Sequence, residues 1–144
     1  MKERRLAQST VEFALMIPLF LGVILAIFDT AHFMATYASI ANGVRSGARV
    51  ATVTSSTDTQ ITDAVVAAVV LANTTTVRNT VAITCASSPG GSFSTCATRT
   101  AGNSVKVTAT YPFAWNPLFA SVFAGFNLGT TTISQQATMT VESP

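Results

Sequence analysis

Along residues 7–53 the apolar positions come first as an unbroken run and then as a stripe. From Phe13 to Phe28, 16 consecutive residues carry no charge. As a helix, residues 11–28 would extend about 27 Å at 1.5 Å per residue, close to a bilayer hydrocarbon core of about 30 Å. Beyond Asp29 the run gives way to periodicity: Phe33, Tyr37, Ile40 or Ala41, Val44, Ala48 and Ala51 recur at intervals of three and four, the spacing of one helical face. The pattern predicts a single helix over about residues 9–53, with Gly43 and Gly47 lowering helix propensity in its second half.

The rest of the chain alternates shorter signals. TSSTDTQ, residues 54–60, reads as a linker and helix start. Thr57 and Gln60 have the spacing of a capping box, and Asp58 and Asp63 suit the positive end of a helix dipole. A second helix is expected over ITDAVVAAVVLAN, ending near Asn73. It is apolar nearly all round and so is expected to be buried against the first helix or a sheet; its run is too short for a second span. Strands are expected at residues 77–86, 104–111 and 130–141 from the period-two pattern, clearest where Val105, Val107 and Ala109 alternate with Lys106, Thr108 and Thr110. Pro112 is expected to end the middle strand at an edge or exit, and Gln135-Gln136 to mark a bulge in the last one. A short helix is expected after Asn116-Pro117, between the last two strands. The predicted fold class is α+β: a long hydrophobic N-terminal helix serving as membrane span and stalk, a second helix and a small antiparallel sheet head. The expected organisation is a basic leader over 1–7, span and stalk over 8–53 and an exported head over 54–144.

Composition sharpens this picture. Of 144 residues only 10% are charged and 49% are hydrophobic, and the formal net charge is +2. Lys2, Arg4 and Arg5 crowd before the apolar run and the other basic residues are scattered, which is not the basic stripe of a nucleic-acid binder. By the positive-inside rule they hold the N-terminus in the cytoplasm, with everything after Asp29 on the far side. A cleaved secretory leader is the rival reading, but Phe28-Asp29-Thr30-Ala31-His32 offers no small-x-small site after the run. Asp29 and His32, three apart on one face, are expected to be hydrated at the outer interface.

Cys85 and Cys96 bracket CASSPGGSFSTC, in which Pro89-Gly90-Gly91 signals a turn. A bridge between them would contribute about 2 to 3 kcal/mol by the chain-entropy model and needs an oxidising compartment such as a periplasm. The alternative is two buried thiols. A metal site is disfavoured because the single histidine, His32, is distant in sequence.

Glu12 raises the functional question. A carboxylate at membrane depth is costly unless it is paired, faces protein or lies near the interface. One reading leaves Glu12 hydrated among the headgroups. Another counts backwards: a cut after Ala7 would make Gln8 the first residue and set its new ammonium one helical turn from Glu12, available to that carboxylate or to a neighbouring subunit's. Pro18 and Gly22 within the span would permit local bending, or are simply tolerated in a membrane helix.

These residues carry a resemblance. Ala7-Gln8-Ser9-Thr10-Val11-Glu12-Phe13 looks like the processing site of Flp-type prepilins and pseudopilins, with a glutamate and then an aromatic shortly after the cut. QSTVEFALMIPLFLGVILAIFD followed by ANGVRSGARVATV is similar to the TadE-like family, minor pseudopilins of tight-adherence pilus systems, the second match resting on Arg45, Gly47, Ala48 and Arg49. Ala7 stands where such prepilins usually carry glycine. The resemblance implies a pilin-like minor subunit cut by a prepilin peptidase, assembled through Glu12 and Phe13 with other pilin or pseudopilin subunits, and anchored once in the bacterial inner membrane with its head periplasmic or extracellular. The arginine motif would orient the helix on the head or on a partner subunit, or its charges are merely solvated. The alternative function is an uncleaved, membrane-tethered accessory or binding protein of the cell envelope.

The aromatic residues suit either role. Tyr111, Phe113 and Trp115 alternate, and Phe119, Val122, Phe123 and Phe126 form a helical stripe. They are expected to fill the head's core, with Trp115, Phe119, Phe123 and Phe126 as the alternative candidate interface. No nucleophile–base pair, metal cluster or phosphate loop is recognisable, so no enzyme activity, cofactor or small-molecule substrate is expected.

Overall fold

The computed structural model describes residues 2–96, 98–115 and 129–142. The element order is α1 (Lys2–Ala51), α2 (Asp58–Ala68), α3 (Thr74–Thr80), β1 (Ala82–Ala86), β2 (Ser94–Thr95), β3 (Ser104–Ala114) and β4 (Thr130–Thr140). The strands form one sheet in the order β2-β1-β3-β4, and the fold class is α+β. The described residues divide into two compact units, one within Met1–Phe33 and Ala114–Thr130, the other within Met34–Phe113 and Thr131–Pro144.

The long helix is present and runs through Pro18 without a break. In the second unit its stripe becomes core: Ile40, Val44, Ala48 and Ala51 are each at most 1% exposed. Tyr37, assigned to the same stripe by its spacing, is 45% exposed, because it lies at the stripe's margin and the buried face turns instead through Thr36 and Ile40. α2 supplies the facing layer through Ile61 and Val65. Gly43 and Gly47 make the close approach possible, since Val65 and Val69 occupy the space that side chains there would need.

α2 starts where its sequence predicts. Thr57 caps it, and the reciprocal bond from the Thr57 amide to Gln60 Oε1 completes the box. Its end is a correction. The helix stops at Ala68 instead of continuing toward Asn73, with Val69 extended at φ −91° and ψ 119°. The amides of Val70 and Leu71 donate to Ser39 Oγ on α1, so a tertiary acceptor takes the donors another helical turn would use. Asn73 then opens α3 instead of closing α2, its side chain accepting from the Thr76 amide at 3.1 Å. Val77 is accordingly the buried residue of a helix and not the start of a strand.

β1 pairs antiparallel with β3, placing Ile83 opposite Val107 and Cys85 opposite Val105. The period-two reading of β3 is borne out, with Val105, Val107, Ala109 and Phe113 all buried. Pro112 does not end the strand, which continues to Ala114. Its pairs with β1 stop at Thr108, so the missing amide of Pro112 interrupts no bond on that side. Burial along β4 alternates without a break through Gln135 and Gln136, so the expected bulge is absent. β2, too short to announce itself in sequence, pairs with β1 through Thr84 and Thr95 and through Cys85 and Ser94. Backbone bonds between Gly102 and Val141, Val141 and Asn103, and Glu142 and Thr52 tie the end of β4 to the start of β3 and to the end of α1.

Candidate functional site

The N-terminal half of α1 presents its apolar residues outward. Phe13, Leu15, Phe20 and Phe28 are 69 to 73% exposed, and the helix is long and apolar enough to cross a membrane. A stripe this open needs lipid or other helices around it. Glu12 opens the stripe on the exposed surface, and Ala7 and Gln8 lie on the same continuous helix. Gln8 and Glu12 are four positions apart, so a rise of about 6 Å, roughly one helical turn, lies between them.

One face of this segment is covered. Gly22 and Asp29 are buried and Leu25 and Phe33 half-buried, positions that fall together at helical spacing. Trp115 stacks on Phe33 with ring centroids 5.4 Å apart and planes 16° from parallel. Asp29 is only 6% exposed, which overturns its expected hydration at an open interface: it shares the face of Phe33. His32, on a neighbouring face, is exposed as expected. Trp115 thus faces α1 within its own unit, while Phe113 belongs to the core of the other unit. Phe119, Phe123 and Phe126, with Asn116 and Pro117, lie outside the described residues.

The motif at residues 45–49 divides by function. Gly47 and Ala48 face inward, where Gly47 accommodates Val65 of α2. Arg45 and Arg49 point to solvent on the opposite face. Arg45 Nη1 donates to Asn42 Oδ1 at 3.4 Å, one turn earlier. The small residues therefore dock the helix within its own head, and the arginines are not used in that docking.

Cys85 and Cys96 form a disulfide with a Cα–Cα distance of 4.9 Å. The turn between them lies where Pro89-Gly90-Gly91 predicts it, Gly90 adopting φ +82° and the Gly91 amide donating to the Ser88 carbonyl. Three residues past Cys96, Arg99 turns back onto the linker between α1 and α2. Its guanidinium donates to the Ser56 carbonyl and pairs with Asp58. The Arg99 side chain is only 9% exposed, and burial lowers its pKa from the ordinary value. Sequence reasoning missed this pair because its members stand 41 residues apart and neither carries a local motif. A second ion pair, Arg78 with Asp63 at 2.6 Å, is half-exposed and contributes little. Among the described residues no group of His, Cys, Asp or Glu is placed to hold a metal ion.

Comparison with known proteins addresses α1 directly. Residues 7–49 match the family model described as TadE-like protein. The long helix is TadE-like. The match ends two residues before α1 does, so the TadE-like segment comprises the apolar run, Glu12 and the arginine motif, and the resemblance read from those residues is borne out. No curated protein and no solved structure matches the chain.

Proposed function

We propose that this chain is a pilin-like minor subunit of a Flp-type, tight-adherence pilus or a related secretion pseudopilus. It is inserted in the inner membrane with its N-terminus in the cytoplasm and its head outside, cut between Ala7 and Gln8 by a prepilin peptidase, and assembled by packing α1 among the helices of other subunits. The observation that carries this reading is the open apolar face of a TadE-like α1 with Glu12 one turn from the proposed new terminus. A terminal ammonium, from the same chain or a neighbour, neutralises Glu12 as the helix leaves lipid for a bundle, and the pairing sets the register. The role is structural, without catalysis, cofactor or small-molecule substrate.

Intact mass of the membrane-extracted protein, with and without a coexpressed cognate prepilin peptidase, tests the proposal. Peptidase-dependent loss of Met1 to Ala7 is the expected result. Full-length protein in the presence of a peptidase that cleaves a control prepilin would make Ala7 a blocking departure from glycine and leave an uncleaved, membrane-tethered accessory protein as the function.

A further inference from the structure

The strongest cluster not used by the TadE-like segment lies where the disulfide loop meets the α1–α2 linker. Thr54, Asp58, Cys96, Thr98 and Arg99 line an open cavity of about 410 Å³. The two sulfurs are unequally placed: Cys85 is 7% exposed on β1, whereas Cys96 is half-exposed and borders the cavity. Arg99 shares that cavity and holds Ser56 and Asp58. These two residues flank Thr57, the cap of α2, so Arg99 fastens the beginning of that helix to the disulfide loop.

We propose that Cys96 is a thiol–disulfide exchange site, served by a protein disulfide oxidant, and that forming the Cys85–Cys96 bond closes Arg99 as a latch on the α1–α2 linker. In the reduced chain the half-exposed Cys96, as its thiolate, attacks the oxidant's disulfide and expels one of its sulfurs as a thiolate. The Cys85 thiolate then attacks Cys96 Sγ and displaces the oxidant's second sulfur. Two electrons and two protons leave the chain, and the oxidant departs as a dithiol. The new bond fixes Cys96 to β1 and brings Arg99 within reach of Ser56 and Asp58. The head is thereby locked only in an oxidising compartment, a property that goes beyond membership of a pilus and does not depend on it.

Two measurements on the full chain in detergent micelles test this. Single-cysteine variants, Cys85→Ser and Cys96→Ser, are reacted with 5,5′-dithiobis(2-nitrobenzoate). Cys96 is expected to react at least tenfold faster than Cys85; equal or reversed rates would overturn its assignment as the entry sulfur. Amide hydrogen exchange is then followed in wild-type protein before and after dithiothreitol and in oxidised Asp58→Asn, whose altered side chain is exposed and leaves the cap in place. Both reduction and Asp58→Asn are expected to accelerate exchange over residues 52–60 about tenfold while residues 36–48 and 104–109 stay protected. Unchanged exchange over 52–60 in either case, or loss of protection across all three segments at once, would overturn the latch.

Discussion

Gly43 and Val69 meet so closely that a Cβ on Gly43 would stand 2.6 Å from Val69 Cγ2 and 2.8 Å from the Val65 carbonyl oxygen. The second distance is the more restrictive, because a backbone carbonyl cannot rotate aside as a methyl group can. Gly43→Ala should therefore destabilise the head by roughly 1 to 3 kcal/mol, even though alanine is the better helix former by about 1 kcal/mol. Denaturant unfolding of the detergent-solubilised protein checks the sign. A stabilised Gly43→Ala variant would mean that α2 can retreat without cost.

Ser39 stops α2 by accepting from two amides in the following turn, with Val70 at 2.9 Å. Ser39→Ala leaves part-buried donors without that acceptor and should cost about 1 to 3 kcal/mol. Hydrogen exchange at Val70 and Leu71 should accelerate more than at Ile61. Unaltered exchange there would show that the hydroxyl does not set the end of α2.

The stack of Phe33 and Trp115 can be read optically, because Trp115 is the chain's one tryptophan. Phe33→Ala should shift its fluorescence emission to longer wavelength as the indole gains water, with a loss of about 0.5 to 1.5 kcal/mol beyond the area term. An emission maximum unchanged by the substitution would place the indole's shielding elsewhere.

Glu12→Ala tests assembly apart from insertion. Removing a carboxylate from the start of an apolar helix lowers its cost of entering lipid, so membrane insertion should be preserved. Pilus output should fall at least tenfold if Glu12 pairs with a terminal amine. Normal output with normal insertion would refute the pairing while leaving the membrane anchor intact.

The elements that were legible share one property: their signals are local. Thr57 and Gln60 are three residues apart and form their box within one helical turn. Val105, Val107 and Ala109 announce their face through a period of two. The Asn73 cap of α3 was equally local, but the apolar run before it suggested a helix ending near Asn73, and the alternation after it a strand from Val77. The end of α2 had no such signal, since Ser39 lies 31 residues from Val70. Arg99 and Asp58 were hidden for the same reason.

The sequence by itself determined the long apolar helix, the TadE-like segment within it, the alternating strands and the two cysteines available to close a loop. Periodicity and turn chemistry are properties of neighbours along the chain and survive without a fold. Only the tertiary structure decided that Gly43 and Gly47 admit α2, that Ser39 ends it, and that Arg99 reaches Ser56 and Asp58. Each depends on two distant segments arriving at hydrogen-bond or van der Waals distance, and that distance is set by packing, not by spacing along the chain.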